Sequence, residues 1–107
     1  MKASGTNYER VNQDGERRRM LFMVIERFKD AKVVYRRVRE KGRMLPEGLK
    51  YVGSWVEASY NRCFQLMECD DASLFHNWVV QWQDLIDFEI VPVIESKQTA
   101  KVIEPCL

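Results

Sequence analysis

The sequence has few of the residues from which familiar reaction centres are built. Its 107 residues include one histidine, three cysteines and five glycines. It contains no glycine-rich phosphate loop, no HExxH zinc motif and no nucleophile elbow, and its cysteines lack CxxC spacing. The motifs therefore assign no reaction to the chain, and we expect neither a metal nor a cofactor.

Long apolar stretches are absent as well. With 46% hydrophobic and 31% charged residues, the composition is that of a folded soluble domain and leaves no stretch for a membrane helix. Residues 1–19 lack the apolar core of a secretory signal peptide. We therefore expect a cytoplasmic protein with reduced thiols and no membrane partner.

Basic residues are absent from residues 63–96, whereas seven of them lie from Lys29 to Arg43. Four recur at helical spacing and could track the phosphates of a nucleic acid: Lys32, Arg36, Arg39 and Arg43. Residues 20–95 nevertheless carry 10 basic and 12 acidic side chains, and residues 62–69 lack the aromatic pair with which RNA-recognition modules stack bases. We interpret this basic stripe as a solvated helix face and expect no nucleic-acid partner.

The two ends of the chain have little capacity to form a core. Residues 1–19 contain only Tyr8 and Val11 as larger apolar side chains, so we predict a disordered tail. The ordered pattern begins abruptly at Met20, which could be the translation start. Residues 96–107 are predicted to be a C-terminal tail whose Val102 and Ile103 could dock on the domain.

Residues 20–95 alternate between strand and helix patterns. Residues 20–28 (MLFMVIERF) are an apolar run of strand length that ends in charge, which is typical of a central strand. Asp30 is a suitable N-cap, and Gly42 and Pro46 are stop signals, so a first helix is predicted to about Arg43.

Two further strands, a second helix and a last strand complete the pattern. Residues 49–57 and 62–69 flank a polar turn and should pair as a hairpin. Asp70 or Asp71 should cap a helix that continues to about Leu85. Residues 87–95 form the last strand, which belongs at a sheet edge because Pro92 cannot donate to a ladder.

This order predicts an α+β domain of the ferredoxin-like βαββαβ type, with a four-stranded antiparallel sheet and two helices on one face. Apolar residues occupy both parities of the strands, so they cannot all face the helices: Phe22, Val24, Phe64, Leu66, Val91 and Val93, with Leu21, Met23, Ile25, Met67 and Ile90. The second sheet face therefore needs a cover, and a second copy of the chain is the simplest one. We expect a homodimer.

Three segments carry a resemblance: MLFMVIERF, GRMLPEGLKYVGSWVEASYNRCFQLMECDD and WVVQWQDLIDFEIVPVIESK. From Met20 onward the chain resembles a family of small bacterial proteins whose domain has no known function. The resemblance implies the dimeric α+β barrel superfamily, in which two ferredoxin-like sheets pack into a barrel and small molecules can lie between sheet and helices. Because this superfamily includes oxygenases, isomerases, haem-binding proteins and sensors, the resemblance implies no particular reaction.

Three residues are candidates for acid or base catalysis. Glu26 and Glu68 lie on otherwise apolar strands, where a partly dry environment would shift their pKa values. The alternative is that such carboxylates are solvated or paired with Arg27 and Arg62. His76, the one histidine, could transfer protons, although a helix-surface position is the more common role for such a residue.

A second group of candidates suits ligand binding. Tyr51 and Trp55 are aromatic residues on the second predicted strand, and Glu57 ends it. Together they could line a cleft for a small apolar or planar molecule. The alternative is that these aromatic side chains belong to the core or to a dimer interface.

Three functions follow as hypotheses. The first is a small-molecule binding module whose cleft lies between sheet and helices and is lined by Glu26, Tyr51 and Trp55. The second is a cofactor-free oxygenase-like or isomerase-like enzyme that uses a strand carboxylate or His76. The third is a protein interaction module. A pocket that buries one of the catalytic candidates would favour the enzyme.

Overall fold

The computed structural model describes residues 19–107, so the predicted tail over residues 1–19 lies almost entirely outside the described residues. Within these residues, four strands form one antiparallel sheet: β1 (Met20–Phe28), β2 (Lys50–Val56), β3 (Arg62–Cys69) and β4 (Ile86–Val93). Three α-helices accompany them: α1 (Ala31–Lys41), α2 (Leu74–Val79) and α3 (Ser96–Ile103), followed by a short 3₁₀ turn (Glu104–Cys106). The domain belongs to the α+β class, as predicted.

The strands lie in the order β2-β3-β1-β4, with β1 inside the sheet and β4 at one edge. Both positions were predicted, the first from the apolar run of β1 and the second from Pro92. The bounds of β1 and β3 agree with the prediction, and the hairpin of β2 and β3 forms with an irregularity between Tyr51 and Gly53.

Helix α1 begins and ends where the sequence predicts. The Asp30 side chain accepts hydrogen bonds from the backbone N–H groups of Lys32 and Val33, and this satisfies donors that the first helical turn leaves free. Gly42 ends the helix with a φ of 69°, which glycine adopts without strain, and its N–H donates to the Val38 carbonyl.

Helix α2 is shorter than predicted at both ends, because its N-cap is Ser73 and not Asp70 or Asp71. It ends at Val79, and residues 80–85 continue as turns in which the Gln81 and Trp82 N–H groups donate to carbonyls three residues earlier. The Arg37 guanidinium binds the Gln81 carbonyl at 3.0 Å and the Asp84 carboxylate at 2.7 and 2.9 Å. These contacts hold the turns against α1. Apolar residues in the turns therefore face the core at the same spacing as in the helix, although the helix itself has ended.

The hydrophobic core lies between one sheet face and the helices α1 and α2. The Phe22 ring meets that of Phe75 edge-on at 4.9 Å, and the Trp78 ring meets that of Phe88 at 5.3 Å. The fully or largely buried apolar residues are Phe22, Val24, Val34, Leu49, Met67, Cys69, Phe75, Trp78, Trp82 and Ile86. One layer of helices therefore covers one face of the sheet.

The opposite sheet face, which we call the open face, is not covered by helices α1 and α2. Strand pairing places its side chains in rows across the sheet: Val91, Met23 and Leu66 form one row, with Glu89, Ile25, Phe64 and Trp55 beside it. Trp55 is 59% exposed. The predicted second apolar face is therefore present.

The C-terminal segment, predicted as a tail, contains a third helix that the sequence analysis did not place. Helix α3 has an apolar side, but Val102 and Ile103 are exposed, so the predicted docking of these two side chains on the domain is not present. None of the helices in residues 19–107 has both the length and the apolar character required to cross a membrane.

Candidate functional site

The Glu26 carboxyl lies on the helix-covered side of the sheet. Strand β1 alternates, so Phe22, Val24 and Glu26 all point toward the core while Arg27 points away. Glu26 is only 5% exposed. The alternation that directs Phe22 and Val24 into the core therefore also buries the carboxyl of Glu26.

Two side chains of the neighbouring strand β3 bind this carboxyl. Gln65 donates from Nε2 to Oε2 of Glu26 at 2.8 Å, and the Cys63 thiol also hydrogen bonds to the carboxyl. Gln65 is itself 4% exposed. These bonds partly replace the water that the carboxyl loses on burial.

Arg43 connects this buried pair to the surface. Its Nε donates to Oε1 of Gln65 at 3.1 Å, and its guanidinium lies 3.7 Å from the centre of the Tyr51 ring. The Tyr51 hydroxyl shares a 2.7 Å hydrogen bond with the Ser54 hydroxyl. A continuous polar chain therefore runs from Glu26 through Gln65 and Arg43 to the edge strand β2.

The backbone of Arg43 is fixed as firmly as its side chain. Its carbonyl accepts hydrogen bonds from both indole N–H groups, at 2.9 Å from Trp78 and 3.0 Å from Trp82. Met44, the next residue, has a φ of 58°, a left-handed conformation that turns the chain sharply. The two tryptophans thus position the cation as well as fill the core.

These groups surround a pocket of about 150 Å³ that opens to solvent, which we call the Glu26 pocket. Glu26, Cys63 and Gln65 supply its buried polar surface. Apolar side chains from α1, the α2 segment and the strand ends form most of its walls: Phe28, Val34, Val38, Val56, Trp78, Trp82 and Ile86. Tyr35, Arg43 and Ser54 complete the lining.

Burial raises the pKa of Glu26 from 4.5 to about 7, because the apolar surroundings disfavour the charged carboxylate. The positive charge of Arg43 and the hydrogen bonds from Cys63 and Gln65 act in the opposite direction but are outweighed. Near neutral pH the carboxyl is therefore present in both forms, as a group that accepts and returns protons requires.

The Cys63 thiol is not an activated nucleophile. Burial, with the nearby negative charge of Glu26, raises its pKa to about 12. It remains protonated at neutral pH, and its role at the site is that of a hydrogen-bond donor. The phenol of Tyr35 also has a raised pKa, first because of partial burial.

The other two catalytic candidates lie elsewhere. Glu68 is on the open face, where it pairs with Lys50 in register and lies 3.5 Å from the Arg19 guanidinium. His76 is exposed on the surface of α2. The structure thus brings neither of them to Glu26.

The ligand-binding candidates are divided between two faces. Tyr51 borders the Glu26 pocket through its contact with Arg43. Trp55 lies on the open face and does not line the pocket, and Glu57 forms an ion pair of 2.8 Å with Arg62. Successive residues of a strand point to opposite faces, which separates Trp55 from Ser54 on the pocket side.

The sequence analysis missed Arg43, Gln65 and Cys63 as parts of the site. Arg43 was assigned to the solvated basic stripe, but α1 ends before it and the chain turns it toward the sheet. The other two could have been found from the alternation of side chains along the strands. Once β1 and β3 are paired, Cys63 lies directly opposite Glu26, and Gln65 is two residues further on the same face.

Among residues 19–107 no three histidine, cysteine, aspartate or glutamate side chains are close enough together to hold a metal ion. The donors around Glu26 are instead an amide, a thiol and a guanidinium. The arrangement suits recognition of an oxygen-bearing organic group and proton exchange with it.

A family model matches residues 20–107, a span that includes all the strands and helices of the described residues and the whole Glu26 pocket. It is described as a domain of unknown function, DUF3303. The chain belongs to the DUF3303 family. No curated protein and no solved structure matches this DUF3303 chain.

Proposed function

We propose that this DUF3303 protein binds a small, largely apolar and planar molecule in the Glu26 pocket, and that it does so as a homodimer. The observation that carries the proposal is the pocket itself: a buried carboxyl and a guanidinium share one amide bridge in an otherwise apolar space. A few convergent polar groups within apolar walls are typical of small-molecule sites.

The size and the walls of the pocket define the class of ligand. A cavity of about 150 Å³ accommodates a molecule about as large as benzene. The indole side chains of Trp78 and Trp82 offer apolar surface against which a flat ring can pack. These features support a ligand with one six-membered ring.

The polar groups define how such a ligand would be oriented. Arg43 can attract a carbonyl, phenolate or carboxylate oxygen, while the Glu26 carboxyl can donate a hydrogen bond when protonated and accept one when ionised. A ring with one oxygen substituent would satisfy either group without burying an unpaired charge.

The open face supports the proposed homodimer. Its central rows are mostly apolar, whereas charged residues lie at its ends, with Arg27, Arg62 and Asp87 in one row and Glu68 and Lys50 in another. An apolar centre with a charged rim is the usual composition of a protein interface. Because acidic and basic groups occur together, two copies related by a twofold axis could pair them.

In this proposal the four strands and the helices α1 and α2 form a ferredoxin-like unit, and two such units pack their sheets face to face into an α+β barrel. Trp55 and Phe64 would then be interface residues. The Glu26 pocket lies on the opposite side of the sheet and remains accessible in such a dimer.

Binding can be tested with phenol, benzoate and 2-cyclohexen-1-one by thermal shift and by tryptophan fluorescence. We expect at least one of them to raise the melting temperature and to change the fluorescence. Val38→Phe would fill the pocket from α1 and should abolish the response, whereas Val80→Phe, on an exposed turn, should not. A response that Val38→Phe leaves intact, or no response from any of the three compounds, would disprove the proposal.

A further inference from the structure

The Glu26 pocket contains more chemistry than binding alone requires. A ligand with one oxygen substituent needs a hydrogen-bond donor, and Arg43 supplies it near the surface. Glu26 adds a carboxyl that is buried among apolar side chains and held in one orientation by Gln65 and Cys63. Burying an ionisable group in this way is unfavourable for folding, and groups of this kind are concentrated at functional sites.

Gln65 sets the relative position of the two charged groups. Its amide nitrogen binds Glu26 and its amide oxygen binds Arg43, so the carboxyl and the guanidinium lie on either side of one carboxamide. A small cyclic ketone could therefore direct its carbonyl oxygen toward Arg43 and a neighbouring C–H group toward Glu26.

We propose, on the basis of the ligand site proposed above, that Glu26 transfers protons at carbon in small cyclic enones whose carbonyl oxygen is held by Arg43. The geometry that carries this inference is the Glu26–Gln65–Arg43 chain at the edge of an apolar pocket. Gln65 and Cys63 act as positioning residues for the carboxyl.

The reaction is a proton shift that needs no oxidant and no second substrate. Glu26, as the carboxylate, removes a proton from the carbon between the carbonyl and a β,γ double bond. The electron pair of that C–H bond forms a dienolate, whose negative oxygen is stabilised by the Arg43 guanidinium. Glu26 then returns the proton to the γ-carbon, which gives the conjugated α,β-enone and regenerates the carboxylate.

The surroundings of Glu26 suit this cycle. The titratable and charged groups that face it are Cys63 from β3, Arg43 from the segment after α1 and Tyr35 from α1, while the α2 segment and β4 contribute Trp78, Trp82 and Phe88. With its pKa at about 7, the carboxyl is both a competent base and a competent acid near neutral pH.

The test uses 3-cyclohexen-1-one, and the ultraviolet absorbance of the conjugated product, 2-cyclohexen-1-one, follows the reaction. We expect the whole protein to accelerate isomerisation over buffer, with kcat/KM rising with pH through about 7. With substrate deuterated at the α-carbon, part of the deuterium should appear at the γ-carbon of the product, because the same carboxyl removes and returns it. Glu26→Gln should lose activity by about 100-fold or more while still binding 2-cyclohexen-1-one.

Two control variants separate the possible failures. Glu40→Gln, on the exposed surface of α1, should keep full activity. Glu26→Asp keeps a carboxyl but shortens its reach, and should react slowly with a similar pH dependence, which keeps the test valid if Glu26→Gln is unstable. Binding of 2-cyclohexen-1-one without isomerisation would overturn this inference and leave the binding proposal standing, and so would equal activity in Glu26→Gln. If neither enone binds, this inference is overturned even if phenol or benzoate binds.

Discussion

Gln65 donates a hydrogen bond of 2.8 Å to the buried carboxyl of Glu26 across the β1 and β3 strands. The two residues are 39 positions apart in the chain, and the bond joins them inside the core. It also aligns the opposite end of the amide with Arg43. The relative position of the carboxyl and the guanidinium therefore depends on a single uncharged side chain.

Gln65→Leu should disturb both Glu26 and Arg43, the two side chains that the Gln65 amide joins. The substitution keeps an apolar volume of similar length but removes the donor that favours the ionised carboxyl, so we expect the pKa of Glu26 to rise above about 7. Leaving the carboxyl with one partner fewer should lower the free energy of unfolding by about 1–3 kcal/mol. NMR titration and urea unfolding would measure the two effects. Gln83→Leu, at an exposed position, should change neither.

Stability should depend on pH through Glu26. Its carboxyl has a pKa of about 7 in the folded protein and an ordinary value of 4.5 in the unfolded chain, so between these values the folded state holds the extra proton. Rising pH therefore favours unfolding, and the free energy of unfolding of the wild type should fall by about 3 kcal/mol from about pH 5 to about pH 8.

Glu26→Gln provides the comparison for that pH dependence. Because its amide does not titrate, its free energy of unfolding should stay nearly level over the same range when it is measured by urea unfolding. Asp84 and Glu57 have lowered pKa values, so both are already ionised throughout this range and do not mask the effect. Parallel curves for the two proteins would contradict the assignment of the raised pKa to Glu26.

Arg43→Met should shift the same titration in a predictable direction. The Arg43 charge lowers the pKa of Glu26 in the folded protein, so its loss should raise that pKa and extend the fall in stability to higher pH. The methionine side chain can still cover the Tyr51 ring, and the backbone carbonyl can still accept from the two tryptophans. Arg39→Met, on the exposed face of α1, is the matched control and should leave the titration unchanged.

Leu66→Lys should separate the proposed dimer. Leu66 lies in the central apolar row of the open face, beside Met23, and a lysine there would carry its charge into the interface. Sedimentation should give about twice the chain mass of 12.7 kDa for the wild type and the monomer mass for the variant. Val80→Lys, on an exposed turn of the helix-covered side, should remain dimeric. A monomeric wild type at micromolar concentration would count against the interface.

The cysteines should differ sharply in reactivity. Cys63 and Cys69 are buried and the pKa of Cys63 is raised to about 12, whereas Cys106 is exposed after α3. In the native protein an aromatic disulfide reagent should therefore modify one thiol rapidly, and in urea all three. Cys106→Ser should remove the rapid phase, and a rapid phase that survives would show that Cys63 or Cys69 is accessible.

Local patterns were sufficient for most of the architecture. The apolar run of β1, the Asp30 cap, the Gly42 stop and the edge position implied by Pro92 each depend on neighbouring residues or on backbone chemistry, and each agrees with the structure. Helix α2 was overextended because turns stabilised by Arg37 keep a helical spacing of buried residues. The end of α2 is set by contacts between segments that are far apart in the sequence, and local periodicity does not reveal such contacts.

The sequence by itself determined the order of the four strands and of helices α1 and α2, the alternation of side chains along the strands and the position of Glu26 after an apolar run. Only the tertiary structure decided what surrounds that carboxyl. Pairing of β1 with β3 brought Gln65 and Cys63 to it, and the turn after α1 brought Arg43. Burial, and with it the raised pKa, arises from residues far apart in the chain, because the environment of an ionisable group is set by its neighbours in space.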